Sequence, residues 1–338
     1  MSRLAIYSAG HFFVDFSCAL LVLGRLCPGG DGPLLLLIYN FCAFALQMPL
    51  GLLADRLNRN SLLAAAGCLL AAAAWLVLPL AGALPAAFTA GFGNALYHIG
   101  GGIEALNSSQ GKSGALGVFV SPGALGVFLG GLAAAQRPGV YVAALAALAL
   151  TALVILRRQG PSENPPASLP GLTPRGMAAA LALFLVVVLR SYIGSLFVFP
   201  WKTGVVWAGI SVCAVAFGKA AGGFLGDNLG MRRAAAISLG LAIPLFLTAD
   251  YPAAGLAAVF LFNMTMPLTL WAAARLFPAA KGFSFGLLTF ALFLGFLPAL
   301  FGAAALFPVK LARAAGAALS IPALLFGLSA AKGGEKGG

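Results

Sequence analysis

The sequence predicts an all-α integral membrane fold, with twelve transmembrane helices in two pseudo-symmetric six-helix bundles. Three observations predict it. Of the 338 residues, 61% are hydrophobic and 8% are charged, with a mean hydropathy of +1.01. Soluble domains carry roughly 25% charged residues, so the solvent for most of this chain is a bilayer. The apolar residues fall in runs of roughly 20, the length at which a helix rising about 1.5 Å per residue crosses about 30 Å of hydrocarbon. The alternating segments of about ten residues that a membrane barrel requires do not occur. Finally, Gly51-Leu-Leu-Ala-Asp55-Arg56-Leu-Asn58-Arg59 returns half a chain later as Gly223-Phe-Leu-Gly-Asp227-Asn-Leu-Gly230-Met-Arg232-Arg233. Each copy ends one apolar run and opens the next, as in a duplicated bundle.

The runs lie at 4–26, 33–53, 61–81, 83–104, 114–135 and 138–156 in the first half, and at 177–199, 204–225, 234–250, 253–274, 283–306 and 309–331 in the second. The first has the length of a signal peptide, but it holds His11 and Asp15 and no small-residue cleavage site follows, so it reads as a helix of the bundle. The second and eighth end at the two acidic turns. The seventh contains Arg190, and the tenth is interrupted by Asn263, Thr265 and Thr269. Between the halves, Pro161, Pro165, Pro166, Pro170 and Pro174 disfavour helix and suit a linker. The expected organisation is an N-terminal six-helix bundle at 1–157, a cytoplasmic linker at 158–175 and a C-terminal six-helix bundle at 176–338, with no soluble domain.

With the N-terminus inside, Arg3, Arg56, Arg59, Arg157, Arg158, Arg175, Arg232, Arg233 and Arg275 fall on one side, against Arg25, Lys202, Lys310, Arg313 and few others on the opposite side. The positive-inside rule then places both termini in the cytoplasm of a multi-pass protein of the cell membrane. The net charge of +12 is a topology signal with added attraction for anionic headgroups. Nucleic acid is not an expected partner, because no basic soluble domain exists to hold it. Cys18, Cys27, Cys42, Cys68 and Cys213 show no CxxC spacing and suit the role of small hydrophobes. The 44 glycines suit close helix packing, and neither a P-loop nor a dinucleotide fingerprint occurs. No cofactor and no ATP-driven step are expected.

Twelve helices in two halves, with G-x-x-x-D-R-x-x-R between the second and third and a partner copy between the eighth and ninth, resemble the major facilitator superfamily of secondary transporters over nearly the whole chain. Gly51, Asp55, Arg56 and Arg59 match its cytoplasmic loop signature, and Gly223, Asp227, Gly230, Arg232 and Arg233 match the second copy. Asn58 stands where glycine is usual. The resemblance implies that these residues gate, through a cytoplasmic charge network that forms and breaks between two conformations. Gly51 would permit close helix approach, and Asp55 would pair with an arginine or with a neighbouring helix N-terminus. The alternative is that the arginines only set topology. Gly10-His11-Phe-Phe-Val-Asp15, Gly91-Phe-Gly93-Asn94-Ala-Leu-Tyr97-His98 and Val120-Ser-Pro-Gly123-Ala-Leu-Gly126 are similar to the fosmidomycin-resistance branch, which exports small molecules. Gly117-x-x-x-Ser121-Pro122-x-x-x-Gly126 is similar to the glycine-proline motif of proton-coupled antiporters.

An ionised side chain at the bilayer centre costs about 2.5–3.5 kcal/mol on insertion scales, so each such charge requires a partner, an aqueous cavity or a function. Asp15 lies near the middle of the first run, and His11, four residues earlier, shares its helix face. The pair is a candidate proton-coupling site, with a structural tie between helices as the alternative. The superfamily resemblance implies that helices 1, 4, 7 and 10 line a central cavity. It adds Asn94, His98, Arg190 and Asn263 as candidate substrate-binding residues. Arg190 lies too deep for easy snorkelling. Its planar fork of donors suits an anionic group, or an ion pair with Asp15. Lys219 either joins the substrate-binding set or snorkels to the surface.

The expected function is a proton-coupled alternating-access transporter of a small organic solute, drug-like or anionic, with export favoured. Its partners are protons, the small-molecule substrate and the lipid bilayer. Two alternatives stand. His11, Asp15 and His98 suit a divalent transition metal as cargo, which ferroportin-like carriers make possible within the same fold and which Arg190 disfavours. An integral-membrane enzyme would use His11 and Asp15 as acid and base, but no nucleophile or metal motif accompanies them and the duplicated turns would have no purpose. The chain is therefore not expected to be an enzyme.

Overall fold

In the computed structural model, residues 2–28, 30–134, 139–158, 173–302 and 308–333 are described, and all regular structure among them is helical. The helices are α1 (Arg3–Leu26), α2 (Gly32–Leu57), α3 (Asn60–Ala81), α4 (Ala83–Ser108), α5 (Ser113–Ala133), α6 (Gly139–Arg157), α7 (Pro174–Ser195), α8 (Gly204–Leu229), α9 (Met231–Leu247), α10 (Pro252–Leu276), α11 (Lys281–Leu300) and α12 (Val309–Gly333). All but α4 and α9 are long and apolar enough to cross a membrane. The interior of α4 carries Asn94, His98, Glu104 and a run of glycines, and α9 has only 17 residues. The linker expected at 158–175 lies outside the described residues, apart from Arg158 and 173–175.

Helix ends follow local chemistry. Ser2 Oγ accepts the Ala5 N–H at 3.3 Å and starts α1. Thr173 Oγ1 accepts the Gly176 N–H at 3.1 Å, with Pro174 at the first position of α7, where its missing N–H leaves no bond unmade. The break after α2 falls on Asn58 at φ 51°, and the equivalent break after α8 falls on Gly230 at φ 88°. Both are left-handed positions. Glycine suits such a position best and asparagine next, which is the physical reason an asparagine can replace the usual glycine in the first copy. The α7 run stops at Ser195, four residues short of its expected end, and 196–203 is non-helical around Pro200. Arg313, expected in an outer loop, is buried in the first turns of α12. Its Nε donates to the Leu196 carbonyl at 2.8 Å, its Nη2 donates to that of Val198, and its guanidinium lies 4.3 Å from the Phe199 ring. That side chain satisfies carbonyls that the end of α7 leaves without helical partners.

The described residues form two compact units. One comprises Met1–Gln110, Pro122–Ser168 and Ala279–Phe290; the other comprises Gly111–Ser121, Leu169–Pro278 and Ala291–Gly338. In the first unit, α3 and α4 meet over their whole length at Gly67, Gly93 and Gly100, where any Cβ would strike the facing backbone. The Pro122–Ala133 part of α5 packs on α1 through Gly126 and Gly130, each facing an α1 carbonyl, a small-xxx-small contact of the kind that brings membrane helices close. In the second unit, α12 packs against α7 and α9, and Gly218 and Gly222 of α8 admit the backbone of α10. Overpacking at such a contact costs about 1–3 kcal/mol. Gly67→Val is therefore expected to lower the thermal midpoint of the purified protein by several degrees, whereas Leu69→Ala, on the exposed side of the same helix, is expected to leave it nearly unchanged.

Candidate functional site

Asp15 of α1 is the hub of a polar cluster in the first unit. Its side chain is 14% exposed. Asn94 of α4 donates from Nδ2 to Asp15 Oδ1 at 2.9 Å. His11 Nε2 lies 3.3 Å from Oδ2, and His98 Nε2 of α4 lies 3.6 Å from Oδ1. The two imidazoles meet edge to face, with ring centroids 4.5 Å apart. Helical spacing explains the convergence. His11 and Asp15 are one turn apart on α1, Asn94 and His98 are one turn apart on α4, and the two helices pack against each other.

The protonation of His98 follows from its other nitrogen. Nδ1 lies 2.9 Å from the Asn94 carbonyl. A carbonyl only accepts, so Nδ1 is assigned the proton, and a neutral His98 would present an Nε2 lone pair to the Asp15 carboxylate. Lone pair against carboxylate is repulsive unless a cation occupies the gap, and the smallest such cation is a proton. Two opposite charges about 4 Å apart attract by roughly 4 kcal/mol at an effective dielectric near 20. That is comparable with the insertion penalty of an ionised side chain. A positive charge beside the carboxylate would offset the cost of holding it at low polarity. Space for the cluster comes from Gly123, just after the Ser121–Pro122 break in α5, where a Cβ would overlap His11 Nε2 and Asp15 Oδ2.

The remaining candidate substrate residues lie in the second unit. Arg190 is buried, and its Nη1 donates to Thr269 Oγ1 of α10 at 3.0 Å. Asn263 is also buried, but its Nδ2 donates to the Val259 carbonyl of its own helix at 2.8 Å, one turn before α10 breaks at Met264. Lys219 Nζ donates to the Val120 carbonyl at 3.3 Å, beside the Ser121–Pro122 break in α5.

The two repeated turns do the same thing in each unit. Asp55 is buried, and its carboxylate accepts the backbone N–H groups of Gly282 at 2.8 Å and Phe283 at 2.9 Å, the first turn of α11. Asp227 accepts those of Ser113 at 2.7 Å and Gly114 at 2.8 Å, the first turn of α5, and the Ser113 hydroxyl at 3.0 Å. Each carboxylate thus satisfies amides that no helical carbonyl can reach and sits at the positive end of a helix dipole. Gly51 and Gly223 make the approach possible, since a Cβ on either would overlap the backbone of Gly282 or Ser113. The four arginines expected in a charge network take no part: Arg56, Arg59, Arg232 and Arg233 are exposed and make no ion pair or hydrogen bond among the described residues. The turns close on helix amides, the second of the two partners expected for Asp55.

Several contributors are not candidates of the sequence reading. Lys281 Nζ donates to Asn107 Oδ1 at 2.7 Å, bracing the start of α11 against the end of α4. Trp271 Nε1 donates to the Gly111 carbonyl at 2.7 Å, bracing the turn before α5 against α10. A signal for the capped helices exists in Lys112-Ser113-Gly114 and Lys281-Gly282-Phe283, where a lysine precedes a small first-turn residue in both halves.

No protein family and no curated protein matches the chain by sequence. Solved structures do match by fold. A major facilitator superfamily transporter, FucP, in its outward conformation superposes with a TM-score of 0.69 at 15% identity, covering 97% of this chain and 98% of that one. A variant of the E. coli fucose:proton symporter FucP gives 0.64 at 14% identity, covering 96% and 97%. A bacterial homologue of the iron transporter ferroportin, in an outward-facing state, gives 0.64 at 16%, covering 99% and 100%. The chain has the major facilitator fold.

Removing the Asp55 carboxylate strands two buried N–H groups. Asp55→Ala is expected to destabilise the protein by about 2–4 kcal/mol, and Asp227→Ala, where solvent can replace the lost acceptor, by about 1–2 kcal/mol. Chemical or thermal unfolding of the two variants side by side checks the order. Gly123→Ala is expected to displace His11 and Asp15 and to lower the thermal midpoint, while Gly131→Ala, about two helical turns away and facing only the end of the Leu23 side chain, is expected to be mild.

Proposed function

We propose that this protein is a proton-coupled, alternating-access transporter of a small organic solute. The observation that carries the reading is the Asp15 carboxylate inside a membrane span, faced by the Nε2 atoms of two imidazoles, one of which has its other nitrogen committed to a backbone carbonyl. Imidazole is the side chain whose ordinary titration falls nearest neutral pH, so this cluster can take up and release a proton within a physiological gradient. The fold is shared with a fucose:proton symporter, which supports a secondary carrier. His11 and Asp15 load the proton. Asn94, His98, Arg190, Asn263 and Lys219 are the proposed solute contacts. His98 also faces the Asp15 carboxylate, so solute binding there changes the surroundings of the proton site. Gly51, Asp55, Gly223 and Asp227 gate by making and releasing the helix caps, with Arg56, Arg59, Arg232 and Arg233 marking the cytoplasmic side. Both termini are placed in the cytoplasm of the cell membrane on the distribution of basic residues. Export is the proposed direction, on the likeness of the α1, α4 and α5 segments to the fosmidomycin-resistance branch.

In liposomes carrying the purified protein, an imposed pH gradient is expected to drive solute accumulation, or solute to drive proton movement, and Asp15→Asn is expected to abolish the coupling while leaving the protein folded. Unchanged proton-driven flux in that variant removes Asp15 from the mechanism.

One observation favours a second reading. The ligand atoms of His11, Asp15 and His98 lie within 4.8 Å of one another. The bond from His98 Nδ1 to a backbone carbonyl is the outer-shell contact that metal-bound imidazoles commonly make. A divalent transition metal would then be the cargo, as the name of the ferroportin homologue suggests for that protein. Calorimetric titration with Co²⁺ or Mn²⁺ decides: binding lost in His11→Ala supports metal, and no binding in the wild type removes it.

A further inference from the structure

Arg190 is 7% exposed, yet of the five N–H donors that a guanidinium carries, one is engaged among the described residues, by Thr269 Oγ1 on Nη1. The Thr269 hydroxyl donates to the Met266 carbonyl at 2.8 Å, so it turns a lone pair toward the arginine and fixes the rotation of the guanidinium. With Nη1 held, the edge formed by Nε and Nη2 carries no partner among the described residues. It is the edge along which an oxyanion docks through two parallel bonds. The two carboxylates described in the same unit are engaged elsewhere, Asp227 on the α5 amides and Asp250 with Lys310.

Arg313, in the same unit, shows what a structural arginine looks like here. It is 3% exposed, Nε and Nη2 both donate to carbonyls, and its face lies on Phe199. Arg190 is also buried, with that edge unoccupied among the described residues. A charge held in a membrane-embedded fold without a counter-charge is costly, and a ligand that brings the counter-charge recovers the loss.

We infer that the Nε–Nη2 edge of Arg190 docks the oxyanion of the transported solute. The solute class is then a small organic acid carrying a carboxylate or a phosphonate. The inference rests on reading the chain as a solute carrier and narrows what it carries. Thr269 is a positioning residue that aims the guanidinium.

The test is equilibrium binding to the full-length protein in phosphatidylcholine nanodiscs, read by thermal unfolding. Short carboxylates and phosphonates (benzoate, succinate and methylphosphonate among them) and inorganic phosphate are each compared with sodium chloride at equal ionic strength. At least one organic acid is expected to raise the midpoint by about 2 °C or more. Arg190→Gln is expected to remove the rise, and Arg190→Lys, which keeps the charge without the fork, to weaken half-saturation by about tenfold or more. If Arg190→Gln does not fold, the lysine variant carries the comparison. No stabilising acid in the panel, a rise shared by chloride, or a rise that survives in both variants overturns the inference. So does stabilisation by inorganic phosphate or by added phosphatidylglycerol alone, which would make the site one for free phosphate or for a lipid headgroup. Binding needs no proton gradient, so proton-driven flux without any acid stabilisation defeats this inference and leaves the carrier reading standing.

Discussion

A polar group in hydrocarbon has no water to turn to, and its partner must come from the chain itself. That constraint explains more of this molecule than any single contact. It forces the backbone into helices, since only there does each span satisfy its own amides and carbonyls. Where helices begin or break, side chains take over. Asp55 and Asp227 answer the first-turn amides of α11 and α5, Arg313 answers the carbonyls beyond α7, and Lys219 answers Val120 beside the break in α5. Asp15 is the case in which the partner is itself titratable. Its carboxylate accepts a hydrogen bond from Asn94, which cannot ionise, and faces His11 and His98, which can. A structural necessity is thereby joined to a variable charge, and a variable charge inside a membrane is the physical basis for coupling.

Glycine supplies the other half of the arrangement. The caps form because Gly51 and Gly223 let an aspartate come within bonding distance of another helix's backbone, and the Asp15 cluster fits because Gly123 offers no side chain where His11 and Asp15 lie. The two caps share geometry and differ in burial. Asp55 is enclosed, whereas Asp227 is exposed and borrows an extra bond from Ser113. The two turns share the carboxylate-to-amide contact and differ in the groups around it.

The sequence revealed the fold because hydropathy, span length and the echo of Gly-x-x-x-Asp are local properties that a chain displays without folding. The His11–Asp15 and Asn94–His98 pairs were legible for the same reason, each being one helical turn apart; that the two pairs meet came only from the superfamily resemblance and is now visible in the packing of α1 on α4. The partners of Asp55 were hidden. Gly282 and Phe283 offer backbone amides, which every residue possesses, more than two hundred positions away. The adjacent arginines, conspicuous in the sequence, are exposed and unengaged among the described residues. Arg313 was misread as a loop residue because its position at a span edge suits a topology charge, and nothing local announces that the carbonyls of 196 and 198 would need it. Asn58 is the instructive exception: its departure from glycine was visible, and the left-handed backbone at that site explains it.

The account's central claim is that the Asp15 cluster exchanges a proton with its surroundings. The most direct measurement is infrared difference spectroscopy of the protein in lipid across a pH titration, with Asp15→Asn as the assignment control. The account predicts imidazole bands that change as pH falls while the Asp15 side chain stays a carboxylate, and that are shifted or lost in the variant. A titration in which wild type and variant give the same imidazole bands would contradict it.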